Sequence, residues 1–290
     1  MQDILSRLNS QIIVADGAIG TMLLAAGMPR GKSPEAWMME NPDPVRNLHR
    51  AYVEAGSDLI LACTFGATRT RLERYGLAER VAEVNRRAVE LAREAAGDEV
   101  YVAADIGPLG ELLAPLGRVT YEQAVEIYAE QAAALAGTDV DVLYIETMAD
   151  LNEVKAAVEG LRQGAPVIPI FASLSFDTHG RTSMGVRPEQ AAEVLLELGV
   201  AAFGANCGAT LEMTLEAIAK MHEAAPQAPL IAKPNAGVPR IEGMAVVYDV
   251  TPEEMADYAR RFVSLGARIV GGCCGSTPAH IAAIAKAVAP

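Results

Sequence analysis

The sequence predicts one (β/α)8 barrel domain spanning residues 1–290. Three observations carry that expectation. Eight short apolar runs alternate with helical patterns at intervals of roughly 36 residues, the repeat and overall length of a TIM barrel. The runs are rich in β-branched residues and almost free of polar interruptions, as parallel strands buried on both faces require. Each run ends in a cluster of Gly, Pro, Asn, Asp, Thr or Cys before the next helical pattern begins. The competing arrangement is a doubly wound open sheet, which advertises a GxGxxG nucleotide loop after its first strand. The first loop here reads Asp16-Gly17-Ala18-Ile19-Gly20-Thr21, with a different spacing.

The strands are expected at 12–15, 58–63, 100–105, 142–146, 167–174, 201–206, 229–235 and 267–272. The helices are expected at 44–56, 77–97, 120–137, 150–164, 187–199, 210–225, 251–266 and 277–289. In the first of these Val45, Leu48, Tyr52 and Val53 recur at helical spacing and Gly56 is a stop signal. Thr120, Asp150, Thr210, Thr251 and Thr277 stand where N-caps belong, since their side-chain oxygens can accept an unpaired amide of the first turn.

Hydrophobic residues make up 51% of the chain and aromatic residues 5%, so Ala, Val, Leu and Ile must fill the core. The net charge of −13, without a basic stripe, argues against a nucleic-acid partner. Neither a membrane-spanning run nor a secretory signal is present in the sequence, so a cytoplasmic location is expected.

Chemistry in such barrels gathers at the C-terminal ends of the strands. Those ends carry Asp16 after strand 1, Cys63 at strand 2, Asp105 at strand 3, Glu146 at strand 4, Cys207 after strand 6, Asn235 at strand 7, and Cys273-Cys274 after strand 8. Loops after strands 6 and 8 can converge at one point of the rim. Adjacent cysteines do not readily form an unstrained disulfide with each other, but flanked by glycines both can turn onto one metal. Cys207, Cys273 and Cys274 are therefore the expected ligands of one Zn2+, with the fourth coordination position open as in a catalytic site. The competing reading is that these are buried core cysteines.

Three thiolates make an anionic site that is poor at producing hydroxide but suited to holding a substrate thiol as thiolate. That points to alkyl transfer to sulfur. A closed, non-catalytic zinc or thiol-binding subunit would need a fourth protein ligand, for which Cys63 is the only candidate sulfur. A barrel aldolase or lyase would need a Schiff-base lysine, and Lys233 stands at a strand end.

The segments DGAIGT (16–21), CTFGAT (63–68), IGPLGE (106–111), IETMAD (145–150), GANCG (204–208), KPNAG (233–237) and GGCCGSTP (271–278) resemble, in order, the motifs of the homocysteine S-methyltransferase family. That family includes the homocysteine domain of cobalamin-dependent methionine synthase and the betaine–homocysteine methyltransferases. The resemblance spans nearly the whole chain, and GGCCG with an upstream NCG is its most specific part. It implies methionine formation from homocysteine, with zinc on Cys207, Cys273 and Cys274. It also implies that Asp16 and Glu146 face the substrate ammonium and that the backbone N–H groups of Gly17 and Ala18 take its carboxylate. Asn235 matches a position whose side chain lies near the zinc when the thiol is absent.

The methyl donor is less marked. Animal-type betaine enzymes carry tyrosine at the positions matching Gly66 and Thr147, so their aromatic cage for a quaternary ammonium is not reproduced here. Tyr75, Phe176 and Phe203 are other aromatic residues from which a cage could be built. The chain lacks the Asp-x-His-x-x-Gly corrinoid module, so a methylcobalamin donor would have to arrive on a partner protein docking over the barrel mouth. Betaine and S-methylmethionine are the alternative donors.

Overall fold

A computed structural model describes residues 2–177, 179–242 and 245–289. Eight parallel strands form the barrel: β1 (Ile13–Val14), β2 (Leu59–Ala62), β3 (Tyr101–Ile106), β4 (Val142–Met148), β5 (Ile170–Leu174), β6 (Ala202–Cys207), β7 (Leu230–Pro234) and β10 (Ala267–Val270). They pair in the order β1-β10-β7-β6-β5-β4-β3-β2. The ring closes through a bridge between Ala15 and Leu59, where the Asp58 amide donates to the Val14 carbonyl at 2.7 Å and the Asp16 amide donates to the Leu59 carbonyl at 3.0 Å. The (β/α)8 barrel expected from the sequence is therefore the observed fold.

The period of two along each strand divides the core. In β2, Leu59 and Leu61 point into the barrel while Ile60 and Ala62 pack outward against the helices. The inner layer also holds Ile13, Tyr101, Val142, Tyr144, Phe171 and Ile231. Because both faces are buried, the run reads as unbroken apolar sequence. At the base, α1 (Ile4–Ser10) plugs the barrel with Ile4 and Leu8, and the Tyr101 hydroxyl donates to the Gln2 carbonyl at 2.7 Å.

The outer helices that follow the strands are α4 (Pro42–Glu54), α6 (Val81–Ala96), α7 (Tyr121–Ala136), α8 (Leu151–Gly164), α9 (Pro188–Glu197), α10 (Leu211–Ala224), α11 (Pro252–Ser264) and α12 (Pro278–Val288). Thr120, Asp150, Thr210 and Thr251 each accept a first-turn amide, and the Thr277 amide donates to His280 Nδ1. Among the described residues, no helix is long and apolar enough to cross a membrane.

The structure adds elements that the periodicity did not reveal: α1, then α2 (Gly20–Ala25), α3 (Pro34–Glu40) and α5 (Arg69–Glu73) on the first two C-terminal loops, and an antiparallel hairpin of β8 (Arg240–Glu242) and β9 (Ala245–Val247) on the seventh. Each is seven residues or shorter, too brief to display a period. The fifth strand starts at Ile170 rather than at Val167, which is 90% exposed; Pro169, without an N–H, marks the boundary.

Candidate active site

The rule that fills the barrel interior also builds its rim. Interior positions that are apolar lower down become polar at the C-terminal layer: Ala103 is followed by Asp105, Tyr144 by Glu146, Phe171 by Ser173 and Ile231 by Lys233. Asp105, Glu146, Lys233 and all three rim cysteines border one cavity of about 440 Å³.

The sulfurs of Cys207, Cys273 and Cys274 lie within 4.8 Å of one another. A tetrahedral zinc with Zn–S bonds of about 2.3 Å spaces its sulfurs by about 3.8 Å, so these side chains need only small rotations to hold one ion. Cys207 takes φ +58°, a left-handed conformation costly for a residue with a Cβ, as does Thr147 at +63°. The Asn206 carboxamide holds this geometry. Its Oδ1 accepts from the Thr147 amide at 2.8 Å and the Ser173 hydroxyl at 2.7 Å, and its Nδ2 donates to Thr147 Oγ1 at 2.7 Å and Cys273 Sγ at 3.8 Å. The Cys273 amide donates to the Pro234 carbonyl at 2.8 Å, and the Ala236 amide to the Cys274 carbonyl at 2.9 Å. The loops after strands 6, 7 and 8 are thus one hydrogen-bonded unit.

The sulfur cluster shares its protons unevenly. Hydrogen bonds from Cys273 and Cys274 pull the Cys207 thiol well below the ordinary range, and the same bonds push the other two up. Exchanging those protons for one soft divalent cation satisfies all three sulfurs together. Cys63 stands apart: it is 2% exposed, its thiol is raised by burial, and it lies outside the sulfur cluster. Among the described residues, no fourth His, Cys, Asp or Glu joins that cluster. Among the described residues, then, these four residue types supply three ligands and no fourth.

Tyr248 was not singled out by its sequence context, an irregular loop after the hairpin. Its ring lies so close to Gly275 that a Cβ there would come within 2.1 Å of it, and Gly275 has φ +79°. Its hydroxyl hydrogen-bonds Cys274, and burial followed by the nearby cysteines pushes its pKa up to about 12. Tyr248→Phe is expected to weaken metal binding at the three cysteines by about 10-fold through loss of this outer contact. A competition titration against a chromophoric chelator measures it, and unchanged affinity would count against the contact.

Beneath the sulfurs is a buried ionic floor. Lys233 Nζ donates to Asp16 Oδ1 at 3.4 Å, lies 3.7 Å from Glu146 Oε2, and sits 5.4 Å from the centre of the Tyr144 ring. Burial opposes the lysine charge, but Glu146 and Asp16 outweigh it and hold the ammonium protonated. A lysine held between two carboxylates is not the free amine that a Schiff base needs, which counts against the aldolase reading. Asp16 is fully buried, and its Oδ2 accepts from the Leu61 amide at 2.8 Å. Burial raises the Asp16, Asp105 and Glu146 carboxyls, with Lys233 pulling each back down.

Gly17 and Ala18 border the cavity. The Ala18 amide already donates to Ser276 Oγ at 3.1 Å, so a carboxylate arriving there would share or replace that hydroxyl. Asn235 Nδ2 donates to the Gly208 carbonyl at 2.8 Å, its Oδ1 is buried without a hydrogen bond, and the side chain is a hydrogen-bond neighbour of Cys207. Of the aromatic residues offered for a cage, Phe176 and Phe203 are buried in the core between barrel and helices. Tyr75 borders the cavity with Phe65, whose ring carries the Arg71 guanidinium at 5.1 Å.

Three comparisons bear on this arrangement. The sequence model of the family described as homocysteine S-methyltransferase matches residues 13–288. A methionine synthase of Mycobacterium tuberculosis is 33% identical over 305 aligned residues, covering 99% of this chain and 25% of that protein. A Mycobacterium leprae methionine synthase matches to the same extent. The chain thus spans about a quarter of the length of these relatives. Among solved structures, the metallated homocysteine methyltransferase MmuM of Escherichia coli superposes with a TM-score of 0.81 at 28% identity, covering 97% of this chain and 98% of that one.

Proposed function

Because the chain belongs to the homocysteine S-methyltransferase family, we propose that it makes methionine by methyl transfer to homocysteine at a Zn2+ held by Cys207, Cys273 and Cys274. The observation that carries this reading is the trio of sulfurs gathered on one wall of the cavity without a fourth cysteine, histidine or carboxylate among the described residues. Zinc, when bound, supplies the Lewis acidity that keeps a substrate sulfur deprotonated and nucleophilic at neutral pH. The protein's own groups do the rest. Glu146, on the cavity wall, takes the substrate ammonium, with Asp16 buried behind it and adding its negative charge through Lys233, and the Gly17–Ala18 backbone takes the carboxylate. Asn235, beside Cys207, is placed to occupy the space near the metal before the thiol arrives.

For the donor we favour methylcobalamin presented by a separate corrinoid module. The similarity to a quarter-length portion of methionine synthases supports this, as do Gly66 and Thr147 at the positions where animal-type betaine enzymes carry cage tyrosines. Betaine and S-methylmethionine are the second reading, supported by the near full-length match to MmuM. The test supplies zinc-loaded protein and homocysteine with methylcobalamin, S-methylmethionine, betaine or methyltetrahydrofolate in separate reactions. Methionine is expected with methylcobalamin. Turnover only with a small cationic donor would overturn the donor assignment, and no methionine with any donor would overturn the function.

Glu146→Ala is expected to weaken homocysteine binding by about 10-fold or more through loss of a charge-assisted contact, and Asp16→Ala to weaken it by releasing Lys233 to compete for Glu146, with zinc still bound one per chain. Calorimetric titration and metal analysis read the two quantities. Unaltered homocysteine binding in both variants would misplace the pocket.

A further inference from the structure

We propose that Glu35 selects a methyl donor with positive charge on the atom that bears the methyl group, holding that end of the donor against the cavity wall opposite the three sulfurs. This rests on the methyl-transfer reading above and names the residue that sets the chemical class of the donor.

Glu35 reaches the cavity from the first turn of α3, just after the Ser33 cap, and is 2% exposed. Its Oε1 accepts from the Gly66 amide at 2.6 Å. Its Oε2 accepts no hydrogen bond from the described residues and, unlike Asp105 Oδ1 and Glu146 Oε2, is not closed off from solvent. Gly66 makes this approach possible, since a Cβ there would stand 3.0 to 3.1 Å from the carboxyl atoms of Glu35. The cations that border the cavity are engaged elsewhere. Lys32 pairs with Glu40, and Lys233 lies between Asp16 and Glu146. Arg71 donates to the Pro108 carbonyl and draws the Glu153 carboxyl down, while Arg74 donates to the Gly110 carbonyl and pairs with Glu111. A nearly buried carboxylate without a cation is costly, and a cationic ligand offsets that cost.

The ring order gives this carboxylate its place in the reaction. Gly66 follows β2 and Cys207 ends β6, four strands away in either direction round the barrel. Methyl transfer to sulfur is an in-line displacement, with the entering sulfur and the leaving atom on opposite sides of the methyl carbon. A thiolate on the cysteine wall therefore takes its methyl group from the side of Gly66 and Glu35. The substrate thiol gives its proton to solvent and its sulfur forms the new bond to carbon. The pair of the broken bond stays on the leaving atom, whose charge falls by one unit. A sulfonium, a quaternary ammonium and the cobalt–corrin core of a methylated corrinoid are all cationic before transfer and lose that charge in it. The pull of Glu35 is strongest before transfer and fades during it, so it acts on donor binding more than on the chemical step. Methyltetrahydrofolate, whose methylated nitrogen is uncharged, offers it nothing.

The test compares zinc-loaded wild type, Glu35→Gln and Glu35→Asp with homocysteine and methylcobalamin, S-methylmethionine, betaine or methyltetrahydrofolate in separate arms, which also tell the cationic sources apart. Glu35→Gln keeps an acceptor for the Gly66 amide and removes the charge. It is expected to raise the KM of the cationic donor about 10-fold without lowering kcat, and to leave the homocysteine KM and the zinc content unchanged. Glu35→Asp is expected to recover part of the donor affinity. A donor KM within about twofold of wild type in Glu35→Gln would overturn the assignment. So would an equal loss of homocysteine affinity or of kcat, which marks a tie to the Gly66 loop and nothing more, and so would wild-type turnover with methyltetrahydrofolate alone. If the wild type makes methionine from none of the four donors, the methyl-transfer reading itself falls and this inference with it.

Discussion

Replacing Cys274 with alanine is expected to reduce bound zinc from one ion per chain to none at ordinary metal concentrations, and to abolish methionine formation. The sulfurs of Cys207, Cys273 and Cys274 lie within 4.8 Å of one another, and no other candidate ligand of the described residues joins them. Two thiolates cannot recover a tetrahedral protein set. Loss even of an outer-shell partner costs about 10- to 100-fold in metal affinity, and loss of a ligand costs more. The fold should survive: Cys274 is on a loop after the last strand, and its backbone carbonyl, which accepts from the Ala236 amide at 2.9 Å, is retained in the variant. Metal analysis beside circular dichroism separates the two effects. Stoichiometric zinc with full activity would sink the assignment.

Lys233→Met is expected to lose about 3–5 kcal/mol of stability near neutral pH, the cost of removing one partner from a buried ionic group. Lys233 is 2% exposed and lies between Asp16 and Glu146 at 3.4 and 3.7 Å. The dependence on pH has a definite sign. Burial already raises the Asp16, Asp105 and Glu146 carboxyls with the lysine in place, and removing Lys233 raises them further. Between the unfolded and folded values of a raised carboxyl the native state binds more protons, so stability falls as pH rises through that window. The deficit of the variant should therefore be large at about pH 8 and shrink toward about pH 4, near the unperturbed carboxyl values. Thermal melts of both proteins across that range measure it; a deficit independent of pH would show that the lysine acts by packing alone.

What the sequence discloses follows from what leaves a period. The strands are legible because two-sided burial writes an unbroken apolar run, as in Leu59–Ala62. The long helices are legible because their caps are chemical, as at Thr251, whose oxygen accepts from the Glu254 amide. The cysteine trio is legible because its residue types are rare and fall at strand ends. The ionic floor is not. Asp105 and Lys233 stand visibly at strand ends, but only the closed ring shows that Lys233 reaches Asp16, 217 residues away in the chain, and that Asp105 Oδ1 is buried without a partner. Tyr248 is still harder to find, since it reaches Cys274 from an irregular loop and depends on the missing Cβ of Gly275.

The Asn206 carboxamide touches Thr147, Ser173 and Cys273 together, using protein atoms alone. In small zinc modules the metal provides the folding free energy, and the bare chain is unstructured. Here the sulfurs stand on rim loops of a barrel whose apolar core is built from the strands and helices, so folding and metal capture are expected to be separate equilibria. Chelation of the metal is therefore expected to leave the circular dichroism of the chain unchanged, and its return to reload the site without refolding.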